Sequence, residues 1–166
     1  LQSSNFKSGA KIFGYKVSNP SEYGVIKFKS GKIIKLVEKP KNFVSEVAIT
    51  GLYQFDHEIF EYVNKIDIHP ERKELEIVDI LNLYLKKKTL DFQLLPRGTA
   101  WLDTGTASNL HEASTLINLL QNRQGLKIGS PEEIAFRNGW INSKQLSSLI
   151  GKSHSYLKYM EKDFGL

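Results

Sequence analysis

The sequence predicts an α/β fold, a sheet followed by a helical segment, and three observations carry that reading. The first half consists of short runs rich in β-branched and aromatic residues, punctuated by Gly, Pro and Asn. The middle alternates helix-like and strand-like patterns. From Thr106 onward, apolar residues recur at helical spacing, beginning with Leu110, Ala113, Ile117 and Leu120. At 166 residues, 40% hydrophobic and 25% charged, the chain is long enough for a core of its own. A chain of this size hides about 70% of the surface its unfolded form exposes. Cysteine is absent, which excludes disulfides and thiolate metal sites.

Each element follows from local pattern. Lys11–Val17 reads as a strand, and a loop holding Asn19, Pro20 and Gly24 follows it. Val25–Phe28 and Ile33–Val37 flank Lys29-Ser30-Gly31-Lys32, a hairpin signature. Pro40 stops the second run because it has no N–H for a ladder. Val47–Phe55 is long and mostly apolar, which predicts a strand buried on both faces. Glu58–Val63 is a short helix candidate. Glu74–Lys88 is a stronger one, with Ile77, Leu81, Tyr84 and Leu85 on one face, acids at its start and lysines at its end. Leu90–Leu95 alternates like a strand, and Ala100–Leu102 reads as a short extended piece. Pro131 opens a helix through Arg137, and stretches 143–150 and 153–162 are helical in pattern.

Charge narrows the partners. The net charge is +5 but the basic residues are dispersed. Lys86-Lys87-Lys88, the densest cluster, reads as a helix end whose cations complement the dipole. Aromatic interleaving suited to stacking bases is missing, so no nucleic-acid partner is expected. No apolar run approaches the ~20 residues of a membrane span. The opening residues show no signal-peptide pattern, and the expected compartment is cytoplasmic. The histidines have no i, i+4 partner, so a zinc site is not expected, and no Gly-x-Ser-x-Gly supports serine catalysis. No Gly-rich strand–loop–helix element occurs either, and the sequence reads as the later part of a longer domain.

The chemistry-bearing candidates are few. In Trp101-Leu102-Asp103-Thr104-Gly105-Thr106 a carboxylate stands after an extended piece and before a helix, where open α/β sheets bind ligands. One Asp flanked by hydroxyls suits Mg²⁺, which takes one or two carboxylates and completes its octahedron with water and phosphate oxygens. The alternative is that Asp103 or Thr106 merely caps the following helix. Glu38-Lys39-Pro40 offers a carboxylate for sugar hydroxyls and an ammonium for a phosphate, or else a surface charge pair. Gly24 after Tyr23 permits close backbone approach or makes a turn, and Gly51 marks a bulge or a ligand contact.

Taken in order, these segments resemble the glucose-1-phosphate thymidylyltransferases of the sugar nucleotidyltransferase family. The stretches that carry the resemblance are Gly9–Tyr15, Glu22–Val25, Val37–Pro40, Ala48–Tyr53, Glu74–Ile77, Ala100–Thr106, Arg123–Lys127 and Glu132–Gly139. They cover nearly the whole chain. Ile49 stands where that family usually has valine, and Lys73 and Val78 where it more often has glycine and threonine.

The resemblance implies a partial Rossmann-like mixed sheet of the nucleotide-diphospho-sugar transferase type with a C-terminal helical segment. Residues 1–105 would be the sugar-binding part, and 106–166 an assembly or regulatory segment. The implied reaction joins dTTP and glucose 1-phosphate to give dTDP-glucose and pyrophosphate, with Mg²⁺, in the service of dTDP-rhamnose and polysaccharide biosynthesis. By the same resemblance Tyr23, Gly24, Glu38, Lys39, Ile49, Gly51 and Trp101 bind the sugar phosphate, and Asp103 is one of two metal carboxylates. Glu133, Ile134 and Arg137 match a second, regulatory nucleotide site in a homo-oligomer, a tetramer in the full-length family. The family's Gly-rich phosphate loop, base-recognition segment and other metal aspartate have no counterpart here. This chain alone is therefore expected to be inactive, the alternative being a non-catalytic sugar-phosphate-binding or oligomerisation module.

Overall fold

The computed structural model describes residues 6–150 together with Tyr159 and Lys162. His154 and most of the predicted 153–162 helix lie outside the described residues. Strand β1 (Ala10–Lys16) leads through a 3-10 turn at Pro20–Glu22 to β2 (Gly24–Lys29), β3 (Lys32–Glu38) and β4 (Val47–Phe55). Helices α1 (Ile59–Val63) and α2 (Ile77–Lys87) precede β5 (Leu90–Leu94). Helices α3 (Ala107–Gln124), α4 (Pro131–Arg137) and α5 (Ser143–Ile150) follow. The chain divides into two compact units, Leu1–Trp101 and Leu102–Leu166, so Leu102–Gly105 goes with the helical unit.

In the first unit the sheet runs β3-β2-β4-β1-β5, parallel only between β1 and β5. The β2–β3 hairpin closes through Ser30 and Gly31, both left-handed at φ +50° and +75°, the combination a two-residue turn needs to follow strand twist. The core gathers Ile12, Ile26, Leu36, Ile49, Leu81 and Tyr84 between the sheet and α2.

Two elements differ from the sequence pattern. β4 has the predicted bounds but is fully buried only over Val47–Thr50, and Gly51 and Leu52 are exposed. β2 reaches it only at Val25–Ala48, so beyond that pair the described residues flank β4 with β1 alone. There Thr50–Leu52 span the place of the single residue Phe13, a bulge fixed by Thr50 Oγ1 donating to the Phe13 carbonyl at 3.0 Å. A Cβ on Gly51 would meet nothing within 4 Å. The bulge, of the two readings open for Gly51, is what its backbone shows.

Helix α2 starts at Ile77 rather than Glu74. Residues 69–74 form their own turn, in which His69 N donates to the Glu74 carbonyl (2.9 Å) and Lys73 N to that of His69 (2.7 Å). Lys73 sits at φ +56°, a left-handed conformation that no helix interior accepts and glycine adopts without strain. The helix then buries Val78, Ile80, Leu81 and Tyr84, a face rotated from the predicted one.

Ala100–Leu102 forms no strand; Trp101–Thr104 carries no regular structure. In the second unit Thr106 Oγ1 accepts from Asn109 N at 3.2 Å, so the cap of α3 is Thr106. Of the face predicted for α3, Ala113 is buried while Leu110 is 54% exposed. Helix α4 starts as predicted, with Pro131 at its first turn and Ser130 Oγ accepting from Glu133 N at 3.2 Å. Among the described residues no helix is long and apolar enough to cross a membrane.

Candidate functional site

Strand register assembles the first group. Gly24 opens β2 directly opposite Glu38, the last residue of β3. A Cβ on Gly24 would lie 2.7 Å from Glu38 Oε2, 3.1 Å from Val78 Cγ2 and 3.5 Å from Ile49 Cδ1. Only hydrogen leaves room for the carboxylate to fold over the strand. Lys39 N donates to the Tyr23 carbonyl at 3.0 Å, with Lys39 turned to φ +42°. The backbone thus reverses at Lys39, and Pro40 is buried beyond it.

Aromatic packing fixes the next member. The Tyr23 and Trp101 rings meet edge-on, 5.1 Å between centroids at 67°. Tyr15 lies 5.7 Å from Trp101, and its hydroxyl donates to the Thr99 carbonyl at 2.9 Å. The segment before Asp103, though not a strand, is held by these two tyrosines. Tyr15 had no signal in the sequence beyond its place in a strand.

Charge converges on Glu38. Burial pushes its carboxyl above the ordinary glutamate range, the negative charge of Glu76 adds to the rise, and Lys39 and Arg72 oppose it. Burial pushes the Tyr53 hydroxyl above the ordinary tyrosine range, and the charge of Glu38 adds to the rise. Arg72 pairs with the buried carboxylate of Glu76 through both Nε and Nη2, and that bond holds Glu76 below the ordinary range. Sequence pattern placed Glu76 in a helical turn and gave Arg72 no role; in the structure Arg72, from the 69–74 turn, pairs with Glu76 at the start of α2, and the charges of both act on Glu38.

The remaining candidates belong to other places. Gly51 stays at the exposed bulge of β4. Asp103, in the second unit, is exposed, with no hydrogen-bond or ion-pair partner among the described residues. A Cβ on Gly105 would come within 3.2 Å of its Oδ2. Glu133 accepts from Arg137 Nε at 2.8 Å and from Tyr159 OH at 2.6 Å, and Ile134 is 51% exposed. No group of three or more His, Asp or Glu converges as a metal cage among the described residues.

The crowding at Gly24 carries an expected outcome. In Gly24→Ala the new methyl displaces the flexible end of Glu38 and presses on buried Val78 at 3.1 Å but meets no backbone, so the melting temperature falls only modestly. Ligand affinity at Glu38 falls about tenfold, the order of one charged hydrogen bond. Calorimetric titration beside thermal melting checks both.

Residues 2–118 match the family model described as Nucleotidyl transferase. The glucose-1-phosphate thymidylyltransferase of Xanthomonas campestris pv. campestris (strain B100) is 45% identical over 157 residues, covering 93% of this chain and 53% of that protein. The enzyme of the same name from Mycolicibacterium smegmatis is 40% identical over 163 residues, covering 94% of this chain and 56% of its own length. Among solved structures, a candidate glucose-1-phosphate thymidylyltransferase from Bacillus anthracis, in complex with sucrose, superposes with a TM-score of 0.58 at 38% identity. It covers 66% of this chain and 44% of that one. The chain spans about half the length of the curated relatives it matches.

Proposed function

Because the chain belongs to the nucleotidyl transferase family, we propose that it carries the sugar-phosphate side of a glucose-1-phosphate thymidylyltransferase. In that reaction a phosphate oxygen of glucose 1-phosphate attacks the α-phosphorus of dTTP in line. The bond from that phosphorus to pyrophosphate breaks, leaving dTDP-glucose. Positioning and charge neutralisation supply the rate, and no protein nucleophile is needed.

The observation that supports this reading best is the meeting of Glu38, Gly24 and Ile49 from three strands, with Lys39 bonded to the backbone of Tyr23. A half-buried carboxylate against bare backbone accepts hydrogen bonds from the hydroxyls of a sugar lying across Tyr23 and Gly24. Lys39 neutralises the sugar phosphate, and Ile49 and Trp101 bound the pocket. Glu76 and Arg72 set the charge around Glu38.

Asp103 suits Mg²⁺, since an exposed carboxylate with no partner among the described residues has its lone pairs open to a cation. When bound, Mg²⁺ lends positive charge to phosphate oxygens. The same reading assigns Glu133, Ile134 and Arg137 to a regulatory nucleotide site, in a cytoplasmic homo-oligomer.

The test uses Trp101 as reporter in a Trp140→Phe background, which leaves one indole. Glucose 1-phosphate should change its fluorescence saturably, and Glu38→Gln should shift the half-saturating concentration upward by about 10–150-fold. With dTTP and Mg²⁺ added, the chain alone should form no dTDP-glucose. A flat titration refutes the sugar site, and product formation refutes the reading that this chain carries the sugar-phosphate side alone.

A further inference from the structure

The lysine run at the end of α2 is split by the fold. Lys87 turns to α1, its Nζ 2.9 Å from Glu58 Oε1 and 5.1 Å from the Tyr62 ring centroid. Lys86 and Lys88 instead line a cleft of about 750 Å³, and Lys32 at the start of β3 lines it with them. Among the described residues no carboxylate pairs with any of these three ammonium groups. The helix dipole accounts for Lys86 and Lys88. It does not account for Lys32, which comes from a different element. The rest of the lining is aliphatic (Ile33, Ile34, Leu85 and Leu90) apart from Asn82, whose amide is engaged with Leu36, and Ile34 is 47% exposed.

Unpaired like charges beside an exposed apolar wall suit a molecule with an anionic head and an apolar body. Lysine is a compact point charge that matches phosphate without bidentate geometry. The volume lies in the range of small-ligand sites, about 300–1,000 Å³. An added peptide strand fits less well, although β3 is the outer strand of the sheet. The Asn82 amide already holds the outward groups of Leu36, accepting from its N–H at 3.2 Å and donating to its carbonyl at 3.1 Å. The β2–β3 register also slips after Lys27, leaving Ile34 as an extra residue that bends the edge.

We propose that this cleft binds a phosphate monoester bearing an apolar group, separately from the Glu38 site. The probe is n-hexyl phosphate, titrated into the full chain by calorimetry beside inorganic phosphate. Burial of several methylenes should make hexyl phosphate bind at least about tenfold tighter than inorganic phosphate. The Lys86→Gln/Lys88→Gln double variant should lose about tenfold in affinity and flatten its salt dependence. Lys39→Gln should leave hexyl phosphate binding in place, which separates this cleft from the sugar-phosphate pocket. Equal affinity for the two phosphates, or binding lost in Lys39→Gln and kept in the double variant, overturns the proposal. So does capture of an acidic peptide without any response to hexyl phosphate.

Discussion

Glu38→Gln is expected to weaken glucose 1-phosphate binding by about one to two orders of magnitude and, near neutral pH, to raise the melting temperature. The two effects share one cause. Folding takes the Glu38 carboxylate partly out of water and sets it near Glu76, and both raise its pKa against the opposing charges of Lys39 and Arg72. A carboxyl whose folded pKa lies above its unfolded value binds its proton more tightly when folded. It therefore favours the fold in acid, and that contribution is lost as pH rises from the unfolded value through the folded one. At neutral pH the ionised group is a burden on the fold, and glutamine lifts it. The stability gain should accordingly be present at pH 7 and vanish toward pH 4, below the ordinary glutamate pKa of about 4.3. Binding runs the other way, because only the ionised form accepts hydrogen bonds from hydroxyls on both oxygens. Affinity in the unsubstituted chain should fall as pH drops through the raised pKa, nearer neutrality than for an ordinary glutamate. Loss of a charged hydrogen-bonding partner is worth about 1.5–3 kcal/mol, or about 10–150-fold in affinity. Melting curves and calorimetric titrations between pH 4 and 8 test both arms. A variant that loses stability at pH 7 while keeping its affinity would overturn the assignment of Glu38.

What the sequence made legible was local. Ser30-Gly31 between two apolar runs dictates its own hairpin, since both residues accept positive φ, and β4 emerged with the bounds its apolar run marks. Glu38 and Gly24 were singled out fourteen positions apart, and hairpin register alone then sets them face to face. What failed to show was set by distant partners. The start of α2 is decided by bonds between His69, Lys73 and Glu74, which no helical periodicity encodes. The burial of β4 depends on how far β2 runs beside it. Arg72 and Tyr15 join the site through a turn and a ring contact, neither of which leaves a pattern along the chain. The apolar positions of α3 were legible as a stripe, but a stripe does not state what covers it.

Asp56 had no signal at all, yet its replacement by alanine is expected to be the most destabilising single change among the polar residues of the first unit. It stands where β4 ends and accepts three bonds, from Gly9 N at 2.6 Å, Tyr84 OH at 2.8 Å and Glu58 N at 3.1 Å. These tie the approach to β1, the body of α2 and the start of α1 to one carboxylate. The Tyr84 ring is fully buried beneath it, so alanine leaves a phenolic hydroxyl without a partner in the core. An orphaned buried donor costs about 1–3 kcal/mol, and bonds to charged groups carry about 1.5–3 kcal/mol each. With partial relaxation the total is about 3–5 kcal/mol, a large share of the ~5–15 kcal/mol that holds a domain together. Tyr84→Phe removes the donor along with its need, so the double variant should lie at least about 1 kcal/mol above additivity. Acid separates this bond set from simple packing. Burial works against the Asp56 charge, but hydrogen bonds from Gly9, Tyr84 and Glu58 and the charge of His57 outweigh it and hold its pKa below the usual aspartate range. Its stabilisation is thus complete above the unfolded pKa of about 3.9 and is lost as pH falls through the lower folded value. Urea unfolding at pH 7 should show the full gap between Asp56→Ala and the unsubstituted chain, and the gap should narrow, by the charge-linked share alone, as the pH is taken well below about 3.9. A gap that stays constant through the acid range would mean that the carboxylate's charge contributes nothing and that only shape is lost.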